Sequence, residues 1–218
     1  MKEMMIDSMI IQICDGMLTS IEIFVLTLLF SLPLGLLVCW GRMSSFRPIS
    51  WLMKAYISIM RGTPLMLQLI IIFFAPYYVF GAQLSDTYRW IAVIIGFSIN
   101  YAAYFAEIYR GGIESIPKGQ YEAAQVLGYS RLQTFFIIIF PQVIKNVLPA
   151  ITNDVITLVK DTSLSFVIAI PEMFTVAKQI SAAQASITAL IVAGIFYYIF
   201  NYLVAIFMEG VEEELDYY

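Results

Sequence analysis

Between Met17 and Gly41 the chain reads MLTSIEIFVLTLLFSLPLGLLVCWG, 25 residues in which Glu22 is the sole charge. A helix needs about 20 mostly apolar residues to cross the hydrocarbon core of a bilayer, so this run is long enough to span. Comparable runs follow at Ala55–Phe80, Arg89–Tyr109, Phe136–Val159 and Ser186–Met208. The expected fold is an all-α, polytopic membrane bundle of about five transmembrane helices. Composition points the same way: 61% of residues are hydrophobic and 13% charged, where soluble domains carry about 25% charged residues.

Several functions are excluded by what the chain lacks. A net charge of −4 gives no attraction for nucleic acid. With no histidine and two cysteines, metal chemistry and histidine-based acid–base catalysis have almost nothing to work with, and no cofactor is expected. Cys14 and Cys39 fall about 37 Å apart along one helix, too far for a disulfide. The N-terminal stretch sets Glu3, Asp7 and Asp15 against Lys2. A cleaved signal would begin basic, so the first run is expected to be a retained helix.

Lys and Arg accumulate in alternate connections. Arg42, Arg47 and Lys54 follow the first run; Arg110, Lys118 and Arg131 follow the third, with Lys145 soon after. Lys2, Arg89 and Lys178 are what the other side offers. The N-terminus is thereby expected outside and the C-terminus in the cytoplasm. The acidic tail with Glu209, Glu212, Glu213, Glu214 and Asp216 reads as a solvated end rather than a partner contact. No repeat or soluble second domain is visible, and residues 1–218 read as one membrane domain.

The connection from Gly111 to Phe135 is the most structured by its own chemistry. Pro117 suits the first turn of a helix, and Tyr121-Glu122-Ala123-Ala124-Gln125-Val126-Leu127 continues it with good helix formers. Gly128 suits the left-handed residue that ends a helix. Ser130 and Gln133 have capping-box spacing and start another. A helical hairpin results. Small Ala123 and Ala124 would let it enter a groove closely, and Glu122 offers a charge to an Arg or a helix N-terminus.

Glu122-Ala123-Ala124, Gly128, Ile138 and Pro141 together resemble the EAA signature of ABC importer permeases; Phe140 stands where that family often has Leu. The resemblance extends to the polar amino acid branch through Arg61-Gly62-Thr63-Pro64 with Gln68 and through Ala102-Ala103-Tyr104 with Glu107. It continues in Arg110-Gly111-Gly112, Ile116-Pro117-Lys118-Gly119-Gln120 and Lys160-Asp161-Thr162-Ser163-Leu164. It implies a type I importer permease fold in the bacterial inner membrane and a paired permease, either two identical chains or two related ones. It also implies a separate ABC ATPase that the hairpin enters, and an extracytoplasmic amino-acid-binding protein that delivers substrate. The chain has no Gly-Lys-Ser/Thr phosphate loop, so ATP hydrolysis is expected on another subunit.

Polar residues inside the apolar runs mark the candidate path. A charge at mid-bilayer costs about 2.5–3.5 kcal/mol on insertion scales, so such groups face a cavity or a partner. Glu22 sits near the outer end of its run, where interface solvation suffices. Glu107 and Arg110 have the spacing of an i,i+3 ion pair. Asn153 lies beside Asp154, and Asp154, Thr157 and Asp161 share one helical face. Two readings stand open for the acids: reception of an ammonium or guanidinium group, or a buried network holding a dimer. Pro64 disfavours helix at Thr63, so Arg61-Gly62-Thr63-Pro64 should break the second run. Such a break is tolerated where it lines water or lies within protein. The freed backbone groups, with Gln68 one turn on, are candidates for holding an amino acid's charged ends.

Import driven by an ATPase is the leading function. An ion-coupled carrier would not need the hairpin signature. A membrane enzyme would need a catalytic set that the chain lacks. A scaffold would need neither the polar strip nor the broken run.

Overall fold

A computed structural model describes the backbone of residues 2–215 and side chains from Asp7 onward. Lys2, Glu3 and Asp216, invoked above for topology and charge, lie outside the described side chains. The regular elements among the described residues are all helical, with α-helices in the order α1 (Lys2–Arg42), α2 (Arg47–Gly62), α3 (Leu65–Phe80), α4 (Asp86–Glu114), α5 (Lys118–Val126), α6 (Arg131–Gln133), α7 (Phe140–Asp161), α8 (Met173–Gln184) and α9 (Thr188–Glu214). A π-helical segment, Thr134–Ile139, joins α6 to α7, and a 3₁₀ segment, Thr162–Ile168, continues α7.

Four helical stretches are long and apolar enough to cross a membrane: Asp7–Arg42, Asp86–Glu114, Arg131–Ile168 and Thr188–Glu214. The Ala55–Phe80 run is broken where Pro64 was expected to break it: it lies in the bent pair α2–α3, whose axes turn by 109°, and counting that pair as one broken span gives five candidates. The cause is local. Pro64 has no N–H to donate and holds φ at −62°, and its ring pushes Thr63 into the extended region at φ −124°, ψ 148°. The first helix is longer than the expected Met17–Gly41, because the residues before Met17 continue it; at 41 residues it measures about 60 Å, roughly twice a hydrocarbon core. Both cysteines sit on it and are free.

The core forms where α1, α3, α4 and α7 meet, around Ile23, Leu69, Val93, Phe97, Phe105 and Leu158. In lipid, apolar contact alone does not draw helices together, so close backbone approach matters. Ala102, Ala103 and Ala106 are fully buried on α4. A Cβ at Gly112 would strike Val147 of α7, and one at Gly16 would lie 2.8 Å from the Cα of Met173.

The second of these contacts involves α8, a helix absent from the sequence reading because 12 residues are too few to span. Its N-terminus is capped by Glu172, which is wholly buried. The carboxylate accepts from Phe174 N and Thr175 N, both at 2.7 Å, from the Thr175 hydroxyl at 2.7 Å, and from the Tyr197 hydroxyl of α9 at 3.0 Å. The acidic end of the chain is also more built than a solvated tail. Helix α9 runs to Glu214, and the Thr152 hydroxyl of α7 donates to the carboxylate of Glu212.

Candidate functional site

The break between α2 and α3 leaves main-chain carbonyls without helical partners. Gln68, buried on the first turn of α3, meets them: its Nε2 donates to Met60 O at 2.9 Å, Thr63 O at 3.2 Å and Thr63 Oγ1 at 2.8 Å. Its Oε1 accepts from Asn100 Nδ2 of α4 at 2.9 Å, and Asn100 also reaches Met60 O at 3.2 Å. The structure thus gives Gln68 and the freed carbonyls to one another. Gly62 is exposed with no neighbouring side chain within 4 Å of its Cβ position.

Beside this closed break lies a cavity of about 260 Å³ lined by Thr63, Pro64, Asn100, Tyr101, Tyr104, Asp154, Thr157 and Asp161 among others. A second hollow, about 420 Å³, is lined by Arg61, Tyr104, Glu107, Ile108, Ala150, Asn153 and Asp154. Tyr104 and Asp154 line both. Asp154, Thr157 and Asp161 present one face of α7 to this space, as their spacing predicted. Asp161 is held by the Tyr101 hydroxyl, which donates to Oδ2 at 2.8 Å, and Thr157 returns its hydroxyl to Asn153 O at 2.9 Å.

On the opposite wall the Arg61 guanidinium lies over the Tyr104 ring, 5.3 Å from its centroid. Its nearest carboxylate is Glu107 at 3.9 Å, a long pair. The expected pair of Glu107 with Arg110 is present at 2.7 Å, and Arg110 also holds Glu114. The space therefore has carboxylates on α7 and a guanidinium on α2, with tyrosines between.

The hairpin stands at one end. Helix α5 closes with Gly128 at φ +81°; Gly128 N donates to Gln125 O and Tyr129 N to Ala124 O, both at 3.0 Å, the paired bonds of a Schellman end. The Ser130–Gln133 capping box is complete. Glu122 and Ala123 are exposed. Ala124 is 1% exposed and packs within the chain, so the close approach its small side chain allows is made to its own neighbours. Val126, Leu127 and Leu132 are 88%, 72% and 72% exposed, an apolar tip that no described residue covers. Between tip and path, Ile116, Ile139, Val143 and Val147 form a separate buried cluster.

The sequence matches the binding-protein-dependent transport system inner membrane component family over residues 31–217. The chain belongs to that family. It is 36% identical to the L-cystine transport system permease protein TcyB of Bacillus subtilis, over 93% of this chain and 86% of the relative. It is equally 36% identical to the arginine transport system permease protein ArtQ of the same organism, over 93% and 92%. Among solved structures, an amino acid ABC transporter crystallised with histidines superposes with a TM-score of 0.85 at 28% identity, covering 93% of this chain and 94% of that one. The MetNI methionine transporter, at 17% identity and a TM-score of 0.73, shares the fold.

The chain is thus a permease subunit of an ABC importer, with the type I fold. Within this permease, sequence reading missed Asn100, Tyr101 and Tyr104. Each sits in an apolar run where an aromatic or a single amide reads as packing. Their i,i+1,i+4 spacing on α4, facing the break in the second run, was the available signal.

Proposed function

We propose that this permease carries an amino acid through the space between α2, α4 and α7, with Asp154 and Asp161 receiving the substrate's cationic group and Arg61 its carboxylate. The observation that carries this reading is the charge arrangement: acids on α7 face a guanidinium on α2 whose only ion pair among the described residues is long. A zwitterion complements both walls. Arg61, Thr63, Pro64, Asn153, Asp154, Thr157 and Asp161 line the path in this reading, while Gly62 and Gln68 shape the break that leaves Arg61 at its edge.

A separate ABC ATPase binds the hairpin through Glu122, Ala123 and the apolar tip, with Ala124 and Gly128 fixing its shape. An extracytoplasmic binding protein delivers substrate to the far side. The N-terminus lies outside and the C-terminus in the cytoplasm, as the Lys and Arg distribution favours. A second permease, identical or related, completes the conduit. Nucleotide then biases a two-state packing change, and the π-to-α7 stretch moves the acids with the hairpin.

Uptake of radiolabelled amino acids into proteoliposomes containing permease, ATPase and binding protein tests this. Accumulation should require ATP and all three proteins. ATP-independent uptake driven by an ion gradient would favour the carrier reading instead.

A further inference from the structure

A further charged cavity shares Arg61 with this path but adds two cations, Arg42 and Lys54, that have no part in the scheme. It lies where α1 ends, has a volume of about 220 Å³, and is lined by Arg42, Lys54, Ile57, Ser58, Arg61 and Glu107. Cations from α1 and α2 converge on it against one carboxylate, and Arg110 already engages that carboxylate at 2.7 Å. Neither Arg42 nor Lys54 has a carboxylate within 4.0 Å among the described residues. Arg42 has a neutral contact, Nη1 to Ser50 Oγ at 3.4 Å. Unneutralised cations held in a hollow between helices form an anion site.

The surroundings say which anion. Trp40, Phe46, Trp51 and Leu52 are all exposed around the same end of α1 and the start of α2. Trp and other amphipathic aromatic side chains settle at the headgroup level of a bilayer, which puts the cavity at the depth of lipid phosphates. Basic hollows between transmembrane helices at that depth are suited to anionic headgroups. The apolar collar offers the acyl chains a surface that a free anion would not use.

We propose that this cavity binds the phosphate of an anionic phospholipid from the leaflet at which α1 ends, with Arg42 and Lys54 as its principal contacts. Arg61 closes the inner wall and is shared with the transport path, so headgroup and path are adjacent.

Native mass spectrometry of the full chain in mild detergent, titrated with phosphatidylglycerol or with phosphatidylcholine of the same acyl chains, reads the site directly. Each removed charge should weaken phosphatidylglycerol binding about fivefold. Arg42→Gln with Lys54→Gln should therefore lose roughly 25-fold and leave phosphatidylcholine binding unchanged. Lys54→Arg should bind as the unmodified chain does. If the double variant does not fold, Lys54→Gln alone decides, since Lys54 is exposed. Equal phosphatidylglycerol binding with and without these charges would overturn the proposal. So would displacement of the lipid by glycerol phosphate or inorganic phosphate at equal concentration, which would assign the site to a free anion.

Discussion

Gln68 donates to the carbonyl of Met60 at 2.9 Å, so a side chain of α3 seals the end of α2 across a turn of 109°. The break is therefore a fixed corner: the chain changes direction while its carbonyls stay paired. Replacing Gln68 with Leu keeps the volume and removes every bond. A buried polar group left unpaired costs about 1–3 kcal/mol, and several groups are released here. The purified permease should melt at a lower temperature, and Asn100→Ala should be less than additive with it because the two share Met60 O. Full additivity would mean that the corner is held by Pro64 alone.

Asp154 lines both parts of the proposed path, and its charge should matter most to cationic substrates. Asp154→Asn is expected to lower uptake of a cationic amino acid about tenfold, a difference of about 1.4 kcal/mol in the interaction, and to affect a neutral one less. Transport assays with both substrates in one proteoliposome preparation check this. Equal losses would place Asp154 on the ammonium common to both substrates, and equal losses accompanied by a lowered melting temperature would assign it to holding the bundle together.

Gly128 and Glu122 separate shape from contact at the hairpin. Gly128→Val forces a branched side chain into φ +81°, at a cost of order 1–3 kcal/mol, and should loosen the hairpin. Glu122→Lys leaves the backbone alone and reverses an exposed charge. Both should reduce stimulation of the ATPase partner, but Gly128→Val alone should increase proteolysis near residue 128. Unchanged stimulation by the Glu122→Lys permease would remove that residue from the docking surface.

Glu172 holds the start of α8 with bonds from α8 and α9. Glu172→Ala leaves its donors, Phe174 N, Thr175 N and the Tyr197 hydroxyl, without their acceptor, and each buried polar group left unpaired costs about 1–3 kcal/mol. The variant should express poorly or melt well below the parent chain, while Glu172→Gln, which keeps the shape and one acceptor, should lie between. Identical melting of all three would show the cap to be dispensable.

What the sequence disclosed follows a physical line. Features set by neighbours along the chain were readable: long apolar runs, the extended residue before Pro64, the left-handed Gly128, the Ser130–Gln133 box and the Glu107–Arg110 pair. Features set by partners across helices were not. Gln68 looks like a path residue until Met60 and Asn100 are seen to occupy its amide. Tyr101 looks like apolar filling until Asp161 appears 2.8 Å away. Ala124 looks as free as Ala123 until its own chain covers it. The π turn at Thr134–Ile139 had a local signal, since Pro141 cannot donate to the residue one turn back, but its width could not be inferred. In the structure Phe140 N reaches back to Phe135 O instead.

That wide turn has a consequence for tuning. The helical stretch from Arg131 to Ile168 is continuous, so hairpin and acids share one rotational phase as well as one axis. Each residue gained or lost between them would swing Asp154 and Asp161 by about 100° around that axis, away from Arg61, with every side chain still present. Length variation in this permease should therefore be absorbed at joints such as Ala185–Ile187, between α8 and α9, and be shunned along this one gear-like shaft.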